Sequence, residues 1–220
     1  MGPDAYRVAG IAEAITALGH SVADMGNLAP EPVAPLTPLN PAVYKLEENI
    51  GWTKTLSKAA KTHAPDGMPI FLGGDHALAL GTVSGMAAHA KAIGKPFFVL
   101  WLDAHSDIHT PDTTGSGNLH GTPVGYITGR RGFEQFPALE AVVDSENICM
   151  IGLRSVDAAE HATLKDMNVE LADMRRIDES GIRAPLAIFL ERVEAAGGIL
   201  HVSLDVDFLD PSVAPAVGTT

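Results

Sequence analysis

The chain has 220 residues, enough to bury one large core. Apolar residues make up 46% of it and charged residues 19%, which excludes disorder by composition. The net charge of −12 argues against nucleic acid or an anionic membrane as a partner and is compatible with a cationic substrate or metal ions, although solubility alone would explain it.

No apolar stretch approaches the roughly 20 residues that a bilayer demands, so no membrane association is expected. The opening Met1-Gly2-Pro3-Asp4 lacks the charged-then-apolar pattern of a leader. A single cysteine, Cys149, rules out an internal disulfide and fits a reducing, cytoplasmic setting. Its surroundings, Asn147-Ile148-Cys149-Met150-Ile151, read as a buried strand, so an inert core thiol is expected rather than a nucleophile.

In chain order, residues 4–18 place Val8, Ile11, Ala12, Ile15 and Leu18 at helical spacing, with Gly19 as a stop. Residues 21–24 suit a short strand. Residues 27–41 carry five prolines and read as a surface loop. A helix is expected over 42–63. Strand-like runs follow at 69–72, 96–102, 147–153, 169–171 and 198–206, with helices between them at 77–92, 156–167 and 181–196. Alternation of this kind predicts an α/β fold around a parallel sheet. The nearly continuous apolar character of the strands predicts helices on both faces of that sheet. Nothing marks a domain boundary, and residues 1–220 read as one domain.

Sites in such sheets lie beyond the carboxyl ends of the strands. The run 69–72 ends in Gly73-Gly74-Asp75-His76, which puts an imidazole at a strand end; alone this is a weak signal. The run 96–102 leads into Asp103-Ala104-His105-Ser106-Asp107. Extended backbone sends alternate side chains to one side, so two carboxylates and an imidazole converge. Like charges gathered behind an apolar strand are costly without a cation among them. The run 198–206 repeats the logic with Asp205 and Asp207, whereas Asp210, before Pro211, reads as a turn residue. Four carboxylates and two imidazoles exceed the needs of one ion and fit two ions sharing bridging carboxylates. With no cysteine in the set, manganese is favoured, then iron, cobalt or zinc.

These three segments, Gly73–His76, Asp103–Asp107 and Ser203–Pro211, resemble in this order the signature segments of the ureohydrolase superfamily, which includes arginases, agmatinases, formiminoglutamases and guanidinobutyrases. The resemblance runs from Gly2-Pro3 to Gly218-Thr219. It implies a three-layer α/β/α sandwich with a central, mainly parallel sheet and two Mn²⁺ ions. His76, Asp103, Asp107 and Asp205 would hold one ion, and His105, Asp103, Asp205 and Asp207 the other. A bridging hydroxide, oriented by Asp107, would attack the guanidinium carbon and release urea and an amine. Within the superfamily, Ser116-Gly117-Asn118-Leu119-His120-Gly121 is similar to arginases. There Ser116 and Asn118 would bind the α-carboxylate of L-arginine, and His120 would carry a proton to the leaving amine. Gly152-Leu153-Arg154-Ser155-Val156-Asp157 is a second arginase-like run, with Asp157 holding the α-amino group. Glu160 is an indirect substrate contact or a first-turn helix residue, and Thr219 is a further substrate contact. Two departures bear on specificity. His109 stands where many arginases carry an Asn that reads the α-carboxylate, and Ser155 where an acid is common. Agmatinase or another guanidino-acid hydrolase is the alternative activity, and a non-catalytic superfamily member the alternative from another class.

The resemblance also implies a chain without the family's first strand and its C-terminal strands and helices. Such a chain is expected to leave sheet edges unpaired and apolar faces uncovered, to bind metal poorly and to turn over slowly or not at all. The family's trimers or hexamers imply a homo-oligomer for the intact protein.

Overall fold

A computed structural model describes residues 2–215. Four strands form one parallel sheet in the order β3-β2-β1-β4: β1 (Phe97–Leu102), β2 (Ile148–Ile151), β3 (Glu170–Ala172) and β4 (Ile199–Leu204). Eight helices accompany them among the described residues: α1 (Gly2–Val8), α2 (Ile11–Ala17), α3 (Leu46–His63), α4 (Leu78–Ala92), α5 (Pro123–Ile127), α6 (Ala158–Asp166), α7 (Met174–Ser180) and α8 (Arg183–Ala195). The expected parallel α/β architecture is therefore present. No helix among these residues is long and apolar enough to cross a membrane.

Sheet faces follow the period-two rule. Phe97, Val99 and Trp101 of β1 enter one apolar cluster with Ile148 and Met150 of β2 and with Leu80 and Val83 of α4. Phe98 and Leu100 enter a second cluster with Cys149, Ile151 and Phe189 of α8. Both central strands are thereby covered on both sides, which is why they read as unbroken apolar runs. Helix α4 is buried nearly all round, from Ala79 to Ala88, consistent with its lack of a polar face. It packs against α3 through glycines. A Cβ on Gly85 would stand 2.4 Å from the Ser57 carbonyl oxygen, and one on Gly81 2.6 Å from Leu56 Cβ.

Four expectations are corrected. The helix foreseen over 4–18 is two, broken where Gly10 adopts φ 82°. The helix foreseen from 42 begins at Leu46, because the Asn40 side chain accepts the Ala42 N–H (3.0 Å) and holds a turn there. Residues 21–24 form no strand and are exposed. Residues 69–72 also form no strand, and no described strand lies alongside to supply a ladder. The outer edge of β4 is likewise unpaired among the described residues, with Val202 51% and Leu204 55% exposed. Helices α5 and α7 were not foreseen. The first is five residues long, and the second follows β3 directly, capped by the Asp173 side chain.

Candidate metal centre and substrate site

The candidate site lies at the carboxyl ends of β1 and β4, which the parallel register brings level: Leu102 pairs with Leu204, immediately before Asp103 and Asp205. His76 arrives from a separate turn at the entry to α4, where its carbonyl accepts the Ala79 N–H (2.9 Å). Its Nδ1 lies 2.9 Å from Asp103 Oδ2, 3.1 Å from Asp107 Oδ2 and 3.2 Å from Asp205 Oδ2. That nitrogen is buried and makes no hydrogen bond of acceptable geometry. One ring nitrogen carries at most one proton and serves at most one of three carboxylates. Donors roughly 2.1 Å from a shared ion and at right angles to it stand about 3 Å apart, so these spacings suit a cation.

A second group overlaps the first. His105 Nδ1 lies 3.4 Å from Asp103 Oδ1 and 3.1 Å from Asp207 Oδ2. His76, Asp103 and Asp107 form one set able to hold a metal, and Asp103, His105 and Asp207 another, with Asp103 common to both. Asp103 is therefore the shared carboxylate, while the described contacts of Asp205 with an imidazole are to His76.

The surroundings orient these groups. His76 Nε2 lies 2.9 Å from Ser203 Oγ, and the ring stacks on Trp101 at 4.4 Å between centroids. Trp101 Nε1 donates to Asp103 Oδ2 (3.0 Å), and the His105 N–H donates to Asp103 Oδ1 (2.8 Å). Arg154, just past β2, donates to the carbonyl of Asp207 and so holds the short turn Val206–Phe208 in place. The Ala104 N–H donates to Asp207 Oδ1 (3.2 Å). Asp107 adopts φ 50°, a left-handed conformation that is costly for a residue with a Cβ and is held because its carbonyl accepts the Val124 N–H (2.9 Å).

Burial disfavours charge on His76, but the three carboxylates outweigh it and hold its pKa well above the usual value. Hydrogen bonding to Asp103 and then Asp207 pushes His105 up to about 10. Burial, reinforced by the Asp103 charge, pushes Asp107 up to about 6 despite the nearby imidazole. Protons held on the two imidazoles thus offset the carboxylate charge, as expected of a crowded ligand set.

The other candidate residues lie around this centre. His120 is half-exposed on the turn Leu119–Gly121, with Nδ1 3.6 Å from Asp75 Oδ2, and that carboxylate raises its pKa. Asp75 is fixed from its other oxygen by the Ala77 N–H (2.8 Å). The Ser116 hydroxyl accepts the Asn118 N–H (3.2 Å), and the phenol of Tyr44 hydrogen-bonds Asn118 Oδ1. His109 pairs with Asp157 at 2.9 Å. Asp157 caps α6 in a reciprocal box with Glu160, and the Glu160 carboxylate also accepts the Ser106 hydroxyl (2.8 Å), so Glu160 is engaged within the protein. His109, Asp157 and Glu160 are close enough to hold a metal, but each of their donor atoms is already in a hydrogen bond. Thr219 lies outside the described residues. The sequence reading missed Ser203, Trp101, Tyr44 and Asp75 as partners of the site. Only Ser203 carried a signal, being two residues before Asp205 on the same face of β4.

The model of the Arginase family matches residues 1–220. The chain is 58% identical to the arginase of Brucella melitensis, covering all of this chain and 72% of that protein, and 52% identical to the arginase of Agrobacterium fabrum, covering 68% of it. Among solved structures it is similar to arginase from Bacillus caldovelox, with a TM-score of 0.86 at 30% identity over the whole chain and 73% of that structure.

Proposed function

Because this chain belongs to the arginase family, we propose that it hydrolyses the guanidinium group of L-arginine to L-ornithine and urea at a centre holding two manganese ions. The observation that carries this reading is the pair of donor groups sharing Asp103, with a half-exposed imidazole, His120, close by. The donors fit such ions: oxygen and imidazole, no thiolate, and spacings suited to a common cation. His76, Asp103, Asp107 and Asp205 would hold one ion, and His105, Asp103, Asp205 and Asp207 the other. When bound, the ions supply an activated water nucleophile near neutral pH.

The chain's own groups do the rest. Asp107, locked by its backbone, orients the nucleophile through a carboxylate oxygen. Oxygen would add to the guanidinium carbon, the bond from that carbon to the side-chain nitrogen would break with its electron pair leaving on the nitrogen, Asp107 would take the proton remaining on the oxygen as urea forms, and His120 would give a proton to the departing amine. Asp75 favours the protonated imidazole needed for that donation. At the amino-acid end, the Tyr44 phenol occupies Asn118 Oδ1 and leaves the amide Nδ2 to donate to the α-carboxylate, with Ser116 beside it. Asp157 receives the α-ammonium.

The test is urea release by the manganese-loaded protein from L-arginine, agmatine and 4-guanidinobutyrate, in which robust turnover would also overturn the expectation that the chain turns over slowly or not at all. Arginine is expected to be the preferred substrate, and His120→Ala is expected to lower its turnover by about a hundredfold or more. Asp103→Asn is expected to remove both bound metal and activity, and unchanged metal content in that variant would overturn the metal assignment. Urea mainly from agmatine would overturn the roles of Ser116 and Asn118.

A further inference from the structure

We propose that His109 is a positioning residue for Asp157, fixing the carboxylate that receives the substrate's α-ammonium, and that it does not itself contact the α-carboxylate. This rests on the arginine-hydrolysing reading above and sets His109 apart from the carboxylate-reading Asn that many arginases carry at this position.

Both ring nitrogens of His109 are committed. Nε2 lies 2.9 Å from Asp157 Oδ2, and because a carboxylate only accepts, that nitrogen carries the proton. Nδ1 lies 3.1 Å from Thr113 Oγ1. Thr113 is itself fixed, since its hydroxyl accepts the Thr110 N–H at 2.9 Å. The ring has no donor left for an α-carboxylate while these contacts stand.

Asp157 is the group that gains from this arrangement. Its Oδ1 accepts the N–H groups of Ala159 and Glu160, both at 2.8 Å, and its Oδ2 faces His109. Each carboxylate oxygen is held by a different element, so the side chain is set in one rotamer. The Asp157 side chain remains 55% exposed, and an oxygen with two lone pairs that receives one N–H can receive a second donor. An ammonium arriving from solvent finds an oriented anion. Glu160 extends the linkage: it accepts the Asp157 N–H at 2.8 Å and the Ser106 hydroxyl at 2.8 Å, tying the start of α6 to the segment that bears Asp103, His105 and Asp107. The His109 N–H in turn donates to the Gly121 carbonyl at 3.1 Å, next to His120. The carboxylate that would grip one end of the substrate is thus registered against the groups that would act on the other.

The experiment is calorimetric binding of three amines to the manganese-loaded protein. L-ornithine carries both the α-amine and the α-carboxylate, 1,4-diaminobutane lacks the carboxylate, and 5-aminopentanoate lacks the α-amine. His109→Ala is expected to weaken L-ornithine and 1,4-diaminobutane by a similar factor, about tenfold, and to leave 5-aminopentanoate unchanged. In an Asp157→Ala background the same change should have no further effect. His109→Gln, whose amide N–H can reach Asp157, should restore much of the L-ornithine affinity. Weakening of 5-aminopentanoate with 1,4-diaminobutane unchanged would overturn the proposal in favour of direct carboxylate contact. Equal weakening of all three would overturn it in favour of a general structural role. Failure of the wild-type protein to bind any of them would overturn the arginine reading itself, and this role with it.

Discussion

The hydroxyl of Ser203 lies 2.9 Å from His76 Nε2, the ring nitrogen turned away from the acids. In a neutral, metal-binding imidazole, an Nε2–H directed to Ser203 Oγ would leave the lone pair on Nδ1, the atom surrounded by Asp103, Asp107 and Asp205. Ser203→Ala removes that anchor and is expected to lower manganese affinity roughly tenfold, checked by titration with detection of free Mn²⁺ by electron paramagnetic resonance. Cys149 is the contrary case, a reactive atom made inert by its place. It is fully buried, and burial pushes its thiol up to about 12 from an ordinary value near 9. The unfolded chain therefore ionises first, and the stability held by the neutral thiol is lost as pH rises from about 9 toward 12. The urea midpoint should fall over that range in the wild type and fall less in Cys149→Ala. At this scale the sequence exposed the acids and imidazoles because their chemistry shows in their letters. Tyr44 and Asp75 stayed hidden because their importance lies in what they touch, namely Asn118 and His120.

Elements were legible where a local pattern and a tertiary partner agreed. The run ending in Leu102 read as a strand and is one, with β2 on one side and β4 on the other. Residues 69–72 have comparable apolar letters and no ladder partner among the described residues, and they form no strand. Short helices such as α5, with fewer than two turns, carry too little periodicity to be read from letters. The α3–α4 contact depends on the absence of side chains, which no propensity reveals. Alanine is favoured over glycine by about 1 kcal/mol in a helix, yet Gly85→Ala would press a methyl group to 2.4 Å from the Ser57 carbonyl oxygen. Overpacking of this kind costs about 1–3 kcal/mol, so the variant is expected to be destabilised, with a lower denaturation midpoint.

Across the whole molecule, the centre is assembled from distant parts of the chain: the turn at His76, the end of β1 and the end of β4. A parallel sheet allows this because right-handed crossovers return every strand with its carboxyl end on the same side. That rule let the proposed ligand set be drawn from three strand-like runs, although one of the three runs is not a strand. The placement of β4 beside β1, rather than beyond β3, could not be read from letters. It is what brings Asp205 within 3.2 Å of the His76 ring.

Trp101 joins the core to the centre, since it is fully buried, stacks on His76 and donates to Asp103. An indole in that position is an intrinsic fluorophore wired to two of the proposed ligands. With Trp52, the other tryptophan, replaced by Phe, the emission of the protein belongs to Trp101 alone. Titration with Mn²⁺, a paramagnetic quencher, should then dim and shift that emission in step with occupancy, and an unchanged spectrum at saturation would place the bound cation elsewhere. The chain would thereby report its own metallation optically, without an added dye or a turnover assay.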